Sequence, residues 1–182
     1  FNLLTIFKVR ESIVNAIPLE LRYSISVGLG LFIAYLGLQH GGIIVSSDAT
    51  MTALGPWNAT SIIAMAGIIV GATLLALKIR GALFYTILLM IPSAATTSAL
   101  FLVGVVMMHP VLHIDFMRFR TGVPCFVTIL MMPLTASISE GIVLGLLSYI
   151  LIKVCTGEGK QLSVFMYVLG VVFLLKYIAP YL

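Results

Sequence analysis

The stretch ATSIIAMAGIIVGATLLAL, residues 59–77, contains no Asp, Glu, Lys or Arg. As an α-helix with a rise of 1.5 Å per residue it would extend about 28 Å, close to the ~30 Å hydrocarbon core of a bilayer. Its apolar residues are continuous rather than alternating with polar ones, which favours a helix over a strand of a membrane barrel. The stretch therefore predicts a membrane-spanning helix.

Charged residues are rare in the whole chain. They make up 9% of the 182 residues, against 61% hydrophobic residues, and the mean hydropathy is +1.20. Soluble domains carry about 25% charged residues, so this composition excludes a soluble domain. Basic residues occur in pairs at the ends of apolar runs, as in Lys78/Arg80 and Arg118/Arg120, which is typical of membrane helix flanks and not of a nucleic-acid-binding surface. We predict a multi-pass, all-α integral membrane protein of the plasma (inner) membrane, with the lipid bilayer as a partner and no nucleic acid.

The apolar runs predict a series of helices. A partly amphipathic helix is predicted over residues 3–20. Membrane spans are predicted over residues 19–45, 59–77 and 121–139. A shorter apolar helix is predicted over 141–154, and a short span or interfacial helix over 163–178. Residues 46–58, with Asp48, Gly55 and Pro56, are predicted to form a turn-rich external loop. Residues 109–120 are predicted to form a second loop.

The stretch 81–108 does not fit this scheme. Its 28 residues would form a helix of about 42 Å, which is too long for one span and too short for two, and Pro92 interrupts it. With Lys78 and Arg80 in the cytoplasm, a single crossing would place Arg118 and Arg120 outside, against the positive-inside rule. We predict that a segment is missing near residues 88–91.

A weak internal repeat accompanies this anomaly. The tripeptide Ala16-Ile17-Pro18 opens one apolar run that ends at Gln39-His40, and Met90-Ile91-Pro92 opens another that ends at Met108-His109. Two halves of three helices each would have opposite orientations, as in the inverted repeats of many secondary transporters. The predicted halves are residues 1–90 and 91–182.

Small residues four apart occur in several of the predicted helices, at Gly37/Gly41, Gly67/Gly71 and Gly141/Gly145. This spacing lets helix backbones approach closely, within one bundle or between two copies of a chain. Packing within the bundle is the favoured interpretation, and a homodimer is left open. Cys125 and Cys155 lie in apolar runs and are interpreted as small apolar residues.

Glu140 is the one acidic residue within the apolar stretch 121–152. An acid in apolar sequence indicates a functional site, here a proton-linked one, but a solvated turn between two helices explains it better. His40, His109 and His113 lie at the ends of runs, and their spacing fits no metal site. Because the sequence contains no catalytic motif, we expect neither an enzyme nor a cofactor.

Four strings occur in order along the chain: RESIVNAIPLELRYSISVGLGLFIAYLGLQHGGIIV (10–45), LKIRGAL (77–83), IPSAATTSALFLVGVVMM (91–108) and VPCFVTILMMPLTASISEGIVLGLLSYILIKVCTGEGK (123–160). In this order they resemble the xanthine/uracil permease family of nucleobase–cation symporters, in its adenine/guanine/hypoxanthine permease branch. The resemblance implies a helical gate-domain bundle of two inverted three-helix repeats, in which family segments five to seven are joined directly to segments twelve to fourteen. Glu140 departs from the family, where a neutral residue is expected.

The resemblance also implies partners and a site. The partners would be the core domain of the same permease, a purine nucleobase and a proton, but the core motifs that carry most of that chemistry are absent from this sequence. The substrate-facing gate residues would be Thr96, Thr97, Phe101, Val103 and Gly104. Two alternatives remain open: a small standalone membrane scaffold or assembly subunit, and an intramembrane enzyme that uses Glu140 with a histidine.

Overall fold

The computed structural model describes residues 17–48, 51–79, 81–89, 92–159 and 162–178. Its helices are α1 (Leu19–His40), α2 (Ala59–Ala76), α3 (Ala82–Leu89), α4 (Pro92–Met107), α5 (Phe119–Leu134), α6 (Ile138–Cys155) and α7 (Val164–Ile178). The other elements are strands β1 (Ile44–Ser47) and β2 (Met51–Leu54) and a 3₁₀ turn at His109–His113.

The all-α membrane class is confirmed. Four described segments are long and apolar enough to cross a membrane: Leu19–His40, Ala59–Ala76, Thr96–His113 and Ile138–Cys155. The helix predicted over residues 3–20 falls largely outside the described residues, and the inverted repeat stays a prediction.

The prediction of a turn-rich loop at 46–58 is wrong at its beginning, where the chain forms a β-hairpin. The external location of this segment stays a prediction. Strands β1 and β2 pair antiparallel, with Ile44 opposite Leu54 and Ser47 opposite Met51. The span predicted to end at residue 45 ends at His40, because Gly42 adopts a left-handed φ of 66° that turns the chain out of the helix. The four-residue strands are too short to show a clear alternation in the sequence, and this is why the hairpin was missed.

The helices belong to two compact units. The terminal unit comprises Phe1–Gly28 and Pro110–Leu182, and the central unit comprises Leu29–His109. Helix α1 contributes its first part to the terminal unit and its remainder to the central unit. This spatial division differs from the predicted halves 1–90 and 91–182. Those halves are the two parts of the predicted inverted repeat, and they stay a prediction.

The anomalous stretch 81–108 folds as two helices and not as one. A Cβ atom placed on Gly71 of α2 would lie 2.9 Å from Thr86 Oγ1 of α3 and also against Leu102 of α4. In a straight helix, residues 86 and 102 would be about 24 Å apart. The chain therefore reverses direction between α3 and α4, and a single unbroken helix is excluded. Residues 90 and 91, at the predicted junction, lie outside the described residues, and the missing segment stays a prediction.

Helix α5 ends in a Schellman motif whose left-handed position holds an alanine. Ala136 has φ 49°, its amide donates to Pro133 O at 3.3 Å, and the amide of Ser137 donates to Met132 O at 3.2 Å. A side chain in this conformation costs about 1–2 kcal/mol, and glycine usually occupies it. At the end of α6, the corresponding residue is Gly157, with φ 78°.

Ala136→Gly is therefore expected to stabilise the terminal unit by about 0.5–1 kcal/mol, because relief of the strain exceeds the entropy that glycine gains in the unfolded chain. The free energy of unfolding in mixed micelles, titrated with SDS, measures the effect. The matched control is Ala66→Gly, at an exposed position in the interior of α2, which should destabilise by about 1 kcal/mol. Equal destabilisation by both substitutions would contradict the prediction.

Candidate functional site

In the central unit, α1 and α4 are in near backbone contact. A Cβ on Gly37 would lie 2.9 Å from the backbone nitrogen of Phe101, and a Cβ on Gly104 would lie 2.6 Å from the backbone nitrogen of Ala34. At Gly41 the close contact is with a side chain, because an added Cβ would lie 2.6 Å from Thr97 Cγ2. Positions 34 and 37 lie on one face of α1, and Gly41, directly after the end of the helix, continues that face at helical spacing. We call this contact the α1–α4 seam.

The five residues predicted to face substrate lie on more than one side of α4. Thr97 and Gly104 are buried in the seam, Thr96 is exposed, and Phe101 and Val103 are half-buried. A helix that uses two of these residues to pack on α1 has only the others available to face a ligand. The five residues therefore do not form a single surface.

Sequence reasoning missed a set of buried hydroxyl groups. Thr86, Ser98 and Thr128 are at most 1% exposed. Thr86 donates to Ala82 O at 2.8 Å, and Thr128 donates to Pro124 O at 2.9 Å, each within its own helix. Because the preceding turn satisfies the hydroxyls of Thr86 and Thr128, these two side chains pack in apolar surroundings at little cost.

The terminal unit contains a second close contact, between α5 and α6. A Cβ on Gly141 would lie 2.9 Å from the backbone nitrogen of Met132, and Gly145 packs directly against Thr128. The spacing Gly141/Gly145 thus packs helices within a unit, as Gly37/Gly41 and Gly71 do, and the favoured interpretation of these small residues is confirmed.

Glu140 lies in the first turn of α6, so its predicted position between two helices is wrong. The side chain of Ser137 caps the helix and accepts a hydrogen bond from the amide of Glu140 at 3.4 Å. The carboxylate of Glu140 accepts hydrogen bonds from Lys176 Nζ, at 2.5 Å, and from the hydroxyl of Tyr177. Glu140 therefore joins the start of α6 to the end of α7, and its described partners are a lysine and a tyrosine.

A second charged group lies where α5 begins and α6 ends. Glu158 accepts hydrogen bonds from Lys153 Nζ, at 2.7 Å, and from the guanidinium of Arg120. Arg118 forms an ion pair with Asp115 at 3.1 Å. We call Arg120, Lys153 and Glu158 the basic-end cluster. The hydrogen bond from Lys153 and the nearby charge of Arg120 lower the pKa of Glu158 from its ordinary value of 4.5.

Because the folded-state pKa of Glu158 is depressed, its ion pairs stabilise the protein above pH 4.5, and this stability is lost as the pH falls through the folded-state pKa. Thermal unfolding of wild type and Glu158→Gln, followed from pH 7 downward, should show wild type more stable at neutral pH and the difference vanishing in acid. High salt should shrink the neutral-pH difference, since it screens exposed pairs. A difference that grows in acid would contradict the prediction.

Two of the three candidate histidines have structural explanations. The ring of His40 is 2.8 Å from Leu36 O, and His113 packs on Tyr23 with ring centroids 5.4 Å apart. Cys125 is buried, as a small core residue should be, whereas Cys155 is exposed. Among the residues that the structure describes, no cluster of three His, Cys, Asp or Glu side chains is placed to hold a metal ion.

Comparison with known proteins gives a consistent set of relatives. The chain is 41% identical over 95 residues to the adenine permease AdeQ of Escherichia coli, an alignment that covers 52% of the chain and 21% of the permease. It is 41% identical over 95 residues to the guanine/hypoxanthine permease PbuG of Bacillus subtilis, with 52% and 22% covered. It is 33% identical over 138 residues to the adenine permease AdeP of Escherichia coli, with 71% and 31% covered.

Over about half of its length, the chain is homologous to purine nucleobase permeases.

This homology to nucleobase permeases agrees with the recognised strings and with the apolar helices, and it makes the chain a multi-pass integral membrane protein. The relatives carry the names of transporters, which agrees with the expectation that the chain is not an enzyme. No protein-family model matches the chain. The chain spans less than a third of the length of these three permeases.

Proposed function

We propose that the chain is the gate part of a proton-coupled purine nucleobase transporter, and that it works against a core domain that this sequence does not contain. The observation that carries the proposal is the partial coverage of the permeases, 21–31% of their length. The chain reversal between α3 and α4 is compatible with a junction at this point, as it is with any pair of consecutive antiparallel helices. The proposed substrates are adenine, guanine or hypoxanthine, the bases in the relatives' names.

The packing of each unit suits a gate. The near-contact of backbones along the α1–α4 seam and between α5 and α6 favours rigid helix pairs, as small residues do in membrane bundles. Alternating access in many transporters is a rocking of one such rigid part against another around a fixed binding site. In this proposal, Thr97 and Gly104 hold α4 on α1, and Thr96, with the half-buried Phe101 and Val103, approaches the core and the substrate.

Glu140 is assigned a structural role within this proposal. Its carboxylate is held by Lys176 and Tyr177, and a lysine partner favours the charged form of a carboxylate. A group that must bind and release a proton during transport is poorly served by such a partner. Proton coupling is therefore assigned to the core domain and not to Glu140.

The test measures uptake of radiolabelled adenine, guanine and hypoxanthine in bacterial cells that lack their own purine permeases. The chain alone should give no uptake. A chimera of AdeQ, in which the aligned segments are replaced by those of this chain, should restore it. Within the chimera, Thr96→Leu should lower uptake severalfold at equal expression, whereas Val105→Leu, at an exposed position on the same helix, should not. Uptake by the chain alone, or an inactive chimera that is correctly inserted, would refute the proposal.

A further inference from the structure

The terminal unit contains an apolar groove that packing within the unit does not fill. It has a volume of about 550 Å³ and lies between α5, α6 and α7, with a lining that includes Val127, Met131, Leu144, Leu151, Val171 and Leu174. Helix α7 packs on α6 less extensively than α5 does. The groove is the space that this looser packing leaves.

Polar contacts fix α7 at both ends of the groove. At one end, the hydroxyl of Tyr167 donates to Gly159 O at 3.1 Å. At the other end, Lys176 is paired with Glu140 at 2.5 Å. Because both ends of α7 are tied down, the groove is a feature of the folded unit and is not closed by a small shift of one helix.

The dimensions of the groove match one leaflet of a bilayer. Helix α6 lines it from Leu144 to Cys155, a rise of about 16 Å. Half of the ~30 Å hydrocarbon core is about 15 Å. An acyl chain is the apolar group that fills one leaflet, and the α6 segment of the groove is one of the four membrane-span candidates.

The charge at one end of the groove is complementary to an anionic headgroup. The last lining residues of α6, Val154 and Cys155, directly follow Lys153, a member of the basic-end cluster. That cluster contains two cations and one carboxylate, which leaves one positive charge. Tyr167 lies at the same end, and tyrosines are enriched at the level of lipid headgroups. Basic side chains at this level attract anionic phospholipids.

We propose that this groove is a binding site for an anionic phospholipid. One acyl chain lies between α6 and α7, and the phosphate headgroup lies at the basic-end cluster, where it neutralises the surplus positive charge. The inference rests on the membrane-embedded terminal unit and is independent of whether the protein transports purines.

Native mass spectrometry of the purified full chain tests the proposal. The chain is mixed with equal amounts of palmitoyl-oleoyl phosphatidylglycerol and the matching phosphatidylcholine, which differ only in the headgroup. The expected result is preferential retention of phosphatidylglycerol. Arg120→Gln should lower that preference about fivefold, the effect of one basic side chain beside an anionic headgroup. Lys78→Gln removes the same charge outside the cluster and should leave the preference unchanged.

A pair of tryptophan substitutions tests the groove itself. Val171 lines it and Val172 does not, yet both side chains belong to α7 and both are 55% exposed. Val171→Trp should fill the groove and abolish retention of both lipids, whereas Val172→Trp should retain them. Equal retention of the two lipids by wild type, or equal loss in the two tryptophan variants, overturns the proposal. Conversion of a dimer to a monomer by Val171→Trp, with lipid retained, also overturns it and makes the groove an interface between copies.

Discussion

Gly104→Val is expected to destabilise the central unit by about 3 kcal/mol, the upper part of the range for overpacking a tight contact. The added Cβ would lie 2.6 Å from Ala34 N and 2.7 Å from Ala34 Cβ. These atoms cannot rotate away as the end of a flexible side chain can. Relief therefore requires α1 and α4 to separate, and the whole seam would lose its packing.

The chain has a single tryptophan, Trp57, and it lies in the central unit, so its fluorescence reports on this loss. SDS titration in mixed micelles should shift the fluorescence midpoint to lower SDS in Gly104→Val. Val106→Leu adds bulk at an exposed position on the same helix and should leave the midpoint nearly unchanged. A wild-type midpoint for Gly104→Val would mean that the α1–α4 seam does not stabilise the unit.

Gly141→Val is expected to have an effect of about 2–3 kcal/mol on the terminal unit. Its Cβ would lie 2.9 Å from Met132 N and 3.0 Å from Met132 Cα, so the clash is again with backbone. The start of α6 would be pushed away from the end of α5, close to the connection between the two helices.

Hydrogen exchange of the α6 amides measures this effect locally. Amides at positions 142–150 should exchange faster in Gly141→Val than in wild type, because the packed pair of helices α5 and α6 opens more often. Ser139→Val, an exposed position two residues earlier, should leave their exchange unchanged. Unchanged exchange in both variants would show that α6 does not depend on contact with α5.

Much of the fold follows from hydrophobicity alone. The span predicted over 59–77 became α2 at Ala59–Ala76, and the helix predicted over 163–178 became α7 at Val164–Ile178. In lipid, a backbone satisfies its hydrogen bonds as a helix or in a closed barrel, and these long apolar runs lack the alternation of barrel strands, so the helix predictions succeed. The hairpin at Ile44–Ser47 and Met51–Leu54 was missed because its pairing is between strands, and a single run of sequence contains no sign of a partner.

The candidate site was less predictable than the fold. The helical period places Thr97 and Gly104 on one side of α4 and Thr96 on another, but the sequence does not say which side meets α1. That choice depends on the matching face of small residues at Ala34, Gly37 and Gly41, which the structure reveals by close approach. The start of α6 was predicted about one turn too late, at residue 141, because the capping by Ser137 was not recognised. Glu140 was therefore placed before the helix and not in its first turn.

The short length of α5 has a consequence for the surrounding lipid. The helix is bounded by Arg118 and Thr135 as its caps, and its 16 residues extend about 24 Å, roughly 6 Å less than the ~30 Å hydrocarbon core. Tilting would shorten its reach further, so a short helix of this kind is accommodated by thinning of the bilayer, by snorkelling of a flanking basic residue such as Arg118, or by packing against other helices. We therefore expect membranes with shorter acyl chains to accommodate α5 at a lower elastic cost than membranes with longer ones.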